Sequence, residues 1–159
     1  MKMLKTRILP KTRKLKIQKQ PAKFKHISHT ADIGLAITGS DYSAVFVNAA
    51  QAMFSLIGEI KRPAKKTVEY QVCLNASDQE ELLVAWLSEL LALSDINQIF
   101  FIYFQINSLS KTQINGCCKA VKFNQRNIQR KTEVKAVTYH QLSIKRDKQQ
   151  ITAKVFLDL

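Results

Sequence analysis

Apolar and polar residues change rhythm several times along this chain, and each rhythm predicts an element. Ile33, Leu35 and Ile37 alternate with Gly34, Ala36 and Thr38, the period-two pattern of a half-buried strand. Gly39-Ser40-Asp41 breaks that pattern, and Ser40 or Asp41 stands where a helix cap belongs. Phe46, Ala49, Ala50, Met53, Phe54 and Ile57 then fall on one helical face, with Gly58 as the stop and Pro63 in the following loop. Val68, Tyr70, Val72 and Leu74 alternate again as a second strand. Ser77-Asp78-Gln79-Glu80 reads as a capping box, in which hydroxyl and carboxylate satisfy opposite orphan amides. The helix it opens runs to about Ser94 and carries Leu82, Leu83, Trp86, Leu90 and Leu93 on its apolar side.

The remainder reads as β-structure, with strands over 99–106, 114–123, 134–144 and 151–157 and a polar hairpin turn over 145–150. Asn115-Gly116 is either a tight turn or a Gly bulge inside one strand. The pattern is strand-like from Phe24 onward. The order β-α-β-α-β-β-β-β predicts an α+β fold, a single domain over 23–159 with two helices packed on one mainly antiparallel sheet.

Composition sharpens this picture at the N-terminus. Apolar residues make up 46% of the 159, enough for a globular body with a real core. The longest apolar runs, 82–93 and 99–106, are too short or too interrupted to cross a membrane, so a soluble, cytoplasmic protein is expected. The net charge is +13, yet ten of the 25 basic residues lie in the first 25 positions with no acid among them. Residues 1–22 therefore read as a basic, disordered tail. Such a tail is a solvated arm, a non-specific contact for RNA phosphates, or a transit segment. Three cysteines without a secretory signal point to a reducing compartment. Cys117 and Cys118 are adjacent, so on a strand they face opposite sides and share neither a metal nor a disulfide.

Candidate chemistry is confined to the two ends of the folded region. No Gly-rich nucleotide loop, nucleophile elbow or zinc-binding His pair on a helix is present. His26 and His29 are three apart, a spacing that sends them to opposite faces of a strand. His29 is instead placed to orient the turn before Asp32 through local hydrogen bonds. Asp32 opens an otherwise apolar strand and needs a partner, since burying a lone carboxylate is costly. Lys135, Lys154, backbone amides and a metal are the candidates. Asp158 is next to the last residue, and alternation of Lys154, Phe156 and Asp158 against Val155, Leu157 and Leu159 predicts a well-docked final strand. If the fold joins these segments, Asp32, Asp158 and the carboxylate of Leu159 converge as oxygen donors for a hard divalent cation.

Four separated segments carry a family resemblance. His29-Thr30-Ala31-Asp32-Ile33-Gly34 with its following helix, Leu82-Leu83-Val84-Ala85-Trp86-Leu87-Ser88-Glu89-Leu90-Leu91, Glu133-Val134-Lys135-Ala136-Val137-Thr138-Tyr139-His140 and the closing Asp158-Leu159 together resemble the archease family over residues 23–159. The resemblance implies a small non-catalytic protein that activates an RtcB-type RNA ligase, promoting its guanylylation and multiple turnover in tRNA splicing or RNA repair. It also implies a divalent metal site, calcium first with magnesium and manganese as alternatives, whose ligands map to Asp32, Asp158 and Leu159. Lys135 and His140 fall in the family's C-terminal motif without an assigned role. The chain departs from the family's usual acidic balance, most plainly in the Lys-, Arg-, Gln- and Asn-rich segment 119–131. The competing reading is a small basic RNA-binding protein acting through its tail. Against it, Phe100, Phe101, Tyr103 and Phe104 read as core and sheet residues rather than base-stacking platforms.

Overall fold

Leu35 and Ile37, and opposite them Ala153, Val155 and Leu157, lose all solvent contact because the two alternating segments turn the same parity inward. The computed structural model describes residues 7–9, 24–28, 32–64, 66–124 and 126–159. In chain order its elements are β1 (Arg7–Leu9), β2 (Phe24–Ser28), β3 (Asp32–Gly39), α1 (Tyr42–Ile57), β4 (Gly58–Ile60), β5 (Val68–Asn75), α2 (Gln79–Asn97), β6 (Ile99–Leu109), β7 (Gln113–Lys122), β8 (Ile128–Arg130), β9 (Ala136–Arg146) and β10 (Ile151–Asp158). Both predicted helices and all six predicted strands are present. Arg7–Leu9, within the expected free tail, pairs antiparallel with β5; the other residues of 1–22 lie outside the described residues.

The strands form two sheets rather than the single sheet expected. One has the order β1-β5-β7-β6, the other β2-β3-β10-β9, and β4 and β8 make a separate two-stranded ribbon. Among the described residues every pairing is antiparallel. Each helix packs against both four-stranded sheets, α1 on β3 and β6, α2 on β9 and β6. This explains why α2 buries Leu82, Leu83, Val84, Trp86, Leu87, Leu90 and Leu91, more than one stripe of its surface. A helix with an apolar partner on several sides must be apolar on several sides. Sequence periodicity reports how many faces are apolar, but not how many sheets supply the partners.

The cap of α1 is one of the two residues the sequence offered, whereas that of α2 is displaced by one. Asp41 caps α1, its carboxylate accepting from the Ala44 amide at 2.8 Å. In α2 the capping box sits one residue further on: Asp78 accepts from the Glu81 amide at 2.8 Å, and the Glu81 carboxylate reaches back to the Ser77 amide at 2.7 Å and to the Ser77 hydroxyl. Those bonds hold the Glu81 carboxyl below its ordinary pKa. Glu80, freed from capping, accepts instead from the Ile144 amide of β9 at 3.0 Å. Asn115-Gly116 is neither turn nor Gly bulge. It lies inside β7, and the register shift is carried by β6 between Ile106 and Ser108. Gly116 is required by close approach: a Cβ there would stand 2.6 Å from the Trp86 ring. Trp86 is fully buried, and its indole N–H donates to the Phe46 carbonyl at 3.2 Å, tying α2 to α1 above the sheet.

Candidate metal centre

The two acidic residues singled out by sequence meet across a strand pair. In the β3–β10 ladder Asp158 is the direct partner of Asp32. Directly opposed residues of an antiparallel pair share a face, with Cβ atoms roughly 4.5–5.5 Å apart. Because Ile33, Leu35 and Ile37 turn toward the helices, both carboxylates project from the opposite face of the sheet. Both residues are partly exposed. Among the described residues neither carboxylate has an ion-pair partner within 4.0 Å.

Lys135 closes the site from the third strand's approach. Its amide donates to the main-chain oxygen of Asp158 at 2.8 Å, and its ammonium Nζ donates to the oxygen of Leu159 at 2.8 Å. It thus holds the last two residues rather than neutralising Asp32. Lys154, the other candidate cation, pairs with Ala36. That register places it four residues, about 13 Å, along β10 from Asp158. The sequence offers Lys135 as a partner for Asp32; the β9–β10 register, in which Asp158 faces Ala136, brings it instead to the chain's last residues.

The neighbouring row of the same outer face is apolar. Phe156 is buried there, lying over Gly34, where a Cβ would come within 2.9 Å of its ring. The His140 ring stands on it edge-on at 5.7 Å between centroids. Opposite Val155 the register of β9 shifts, and the bulged residues include Gln141 at φ 49. The bulge carries Tyr139, 62% exposed. His140 is therefore a packing residue of this face in the structure. His29, with Thr30 and Ala31, lies outside the described residues, so the expected turn before Asp32 does too. His26 is exposed on β2 and packs against Phe24.

What the site offers chemically is a set of oxygen donors on a rigid strand pair. Among the described residues no three His, Cys, Asp or Glu side chains come together. The oxygen donors that the strand pair sets opposite each other are the two carboxylates; the oxygen of the adjoining Leu159 accepts from Lys135. Oxygen alone matches calcium, magnesium or manganese rather than zinc. Two like charges facing each other across a ladder destabilise it unless a cation lies between them. The residues present thus fit a hard divalent cation that takes its remaining ligands from water or a partner.

The model of the Archease protein family matches residues 24–159. The chain belongs to the archease family. Curated archeases of Methanosarcina acetivorans and Pyrococcus furiosus are each 35% identical to it, the first over 88% of this chain and 98% of its own length, the second over 77% and 88%. A solution structure from Methanobacterium thermoautotrophicum superposes with a TM-score of 0.69 at 30% identity, covering 87% of this chain and all of that one. A Thermotoga maritima archease crystal structure shares the fold, with a TM-score of 0.58 at 19% identity. The archease match starts at Phe24, so the basic N-terminal segment lies outside it.

The remaining sequence expectations sort by face. Cys118 is buried, whereas Cys117 faces outward and its thiol donates to Glu69 at 3.1 Å. Burial and that carboxylate push the Cys117 thiol up to about 11, and burial raises Cys118 as well. Phe100, Phe101 and Phe104 are core residues as expected. Tyr103 is not: it is 41% exposed, with Lys119 Nζ 5.3 Å from its ring centre. Among the described residues no helix is long and apolar enough to cross a membrane.

Proposed function

We propose that this protein is a non-catalytic partner of an RtcB-type RNA ligase, promoting ligase guanylylation and repeated turnover in tRNA splicing or RNA repair. Family membership supports the partner role. The observation that carries the site is the direct pairing of Asp32 with Asp158 beside the Leu159 oxygen. A divalent cation bound there, calcium or one of its hard relatives, supplies positive charge at which phosphate oxygens can be oriented or neutralised. The chain's own residues do the positioning. The β3–β10 ladder fixes both carboxylates, and Lys135 holds Asp158 and Leu159 through its amide and its ammonium group.

The test is multiple-turnover RNA ligation by the cognate ligase, with and without this protein and its Asp32→Ala, Asp158→Ala variant. Wild-type stimulation with loss in the variant is the expected result. Both positions are partly exposed, so the variant is expected to fold, and its circular dichroism melt checks this. Stimulation retained in a folded variant rejects the site and keeps the function. The second reading, RNA binding through the tail, rests on the ten basic residues in positions 1–25. Deleting residues 1–22 distinguishes it: an RNA binder loses affinity and salt dependence, whereas an activator keeps stimulating.

A further inference from the structure

A cavity of about 460 Å³ opens between the end of α1, β4 and β6, with neither Asp32 nor Asp158 in its lining. Small-molecule sites commonly span roughly 300–1,000 Å³. Its walls include Phe54, Phe100, Phe101 and Phe104. Its mouth carries Lys61, Arg62 and Lys131, opposed by the single acid Glu59. Glu59 engages Lys61 at 3.0 Å and Lys131 at 3.4 Å, and its pKa is lowered, first by the Lys61 bond. Arg62 has no ion-pair partner within 4.0 Å among the described residues. Three cations around one carboxylate leave the mouth positive, and the mainly apolar lining, backed by buried phenylalanines, favours an apolar body.

The strand at the cavity decides between a compact ligand and an extended one. Phe100, Phe101 and Ile102 are consecutive, and their side chains alternate, so a cavity touching all three runs along the edge of β6. That strand ends its sheet. A free edge is a template for strand addition, but here the pairing slips: Phe101 faces Ala120 and Tyr103 faces Lys119, leaving Ile102 as an extra residue. A bulge twists the edge and interrupts the regular row of donors and acceptors that a docking strand needs. The helix terminus beside it is also closed, since Leu56 and Ile57 carbonyls accept from the Thr132 and Lys131 amides. Their negative ends are thereby satisfied and leave the cationic mouth unopposed from that side.

We infer that this cavity is a binding site for a small molecule with an apolar ring or chain and one anionic head, phosphate or carboxylate, the head held by Arg62 and Lys61. The site is separate from Asp32 and Asp158 and independent of the ligase reading.

The probe is anilinonaphthalene sulfonate, an aromatic body with a fixed anionic group, titrated by fluorescence into the full chain. One saturable site is expected, with the uncharged analogue phenylnaphthylamine binding more weakly. The Lys61→Glu, Arg62→Glu protein is expected to lose about tenfold in affinity, the scale of one charge-assisted hydrogen bond. Ser55→Trp, at an exposed position of the cavity wall, fills the space without touching the core and is expected to abolish binding. A Lys111→Glu, Lys119→Glu protein carries the same charge change away from the cavity and is expected to bind as wild type. Equal loss in that control, or unchanged binding in the mouth and Ser55 variants with wild-type melts, overturns the proposal. Displacement of the probe by adenosine monophosphate identifies a nucleotide-like source, and displacement by decanoate an aliphatic acid. Displacement by neither overturns the assignment of ligand class and with it the proposal.

Discussion

The two four-stranded sheets turn similar inner faces to the same helices, yet their outer faces are built on opposite plans. On the β1-β5-β7-β6 sheet the outward groups satisfy one another. Tyr103 donates to Gln105 at 2.9 Å, Gln105 to Asn107 at 3.0 Å, Gln71 to Asn115 at 3.4 Å and Cys117 to Glu69 at 3.1 Å. Lys119 adds a cation over the Tyr103 ring. On the β2-β3-β10-β9 sheet the outward groups do not. Two carboxylates face each other without an ion pair among the described residues, and a phenylalanine is buried beside them. The hydroxyl of Thr138, opposite Phe156, is buried without a hydrogen-bond partner among the described residues. Ordinary solvated sheet faces pair their own polar groups, because cross-strand pairs stabilise a ladder and opposed like charges weaken it. The second face gives up that stabilisation where the candidate metal site lies.

Deletion of Trp86 sets the scale against which the outer faces are judged. Trp86→Ala removes a fully buried ring and its bond to Phe46, and is expected to cost about 3–5 kcal/mol in chemical denaturation. A cost below about 1 kcal/mol would show that the layer between the sheets repacks freely. Phe156→Ala is expected to cost about 3 kcal/mol, because the ring is buried over Gly34. Gln105→Ala, on the other sheet's exposed row, is expected to stay within about 0.5 kcal/mol. Equal effects from the two would dissolve the contrast.

Charge provides a smaller and more specific lever. Asp158→Asn relieves the repulsion across the ladder, so without divalent cations it should stabilise the protein by a few tenths of a kcal/mol, or up to about 1. Adding calcium should raise the melting temperature of wild type and leave Asp158→Asn unmoved, since only the form that binds a ligand gains from it. A calcium-dependent rise of equal size in both proteins would remove Asp158 from the site.

The smallest expected effect is at the α2 cap. The Glu81 carboxyl is held below its ordinary value by the Ser77 bonds. Its contribution is therefore present above the ordinary carboxyl range, about 4.3, and is lost as pH falls through the lowered value. Glu81→Gln should lower stability slightly at neutral pH and flatten the acid limb of the stability profile. An acid limb unchanged by the substitution would assign that limb to other carboxyls.

Much of the fold follows from local pattern because period and burial are local properties. Leu35 and Ile37, or Val72, alternate with polar or small neighbours whichever strand lies beside them. The Asp41 cap and the turn at 147–150 need only their own few residues, as the Asp147 amide donating to Gln150 shows at 2.9 Å. Gly116 shows where such reasoning fails. A glycine after asparagine carries a turn signal in any sequence, but here Trp86, thirty residues earlier in the chain, demands the missing side chain. Glu80 likewise looks like a capping residue until β9 presents the Ile144 amide to it.

The candidate site divides in the same way. The sequence by itself determined that Asp32 and Asp158 begin and end apolar strands, and on which face of each strand they stand. Only the tertiary structure decided that β10 lies beside β3, in the register that sets one carboxylate opposite the other, and that Lys135 reaches Leu159. The strands' division into two sheets belongs with that second group. Side-chain alternation fixes a face through two dihedral angles per residue, whereas partner and register are settled by contacts between segments more than a hundred residues apart, where the gain from burying both faces together outweighs any local preference.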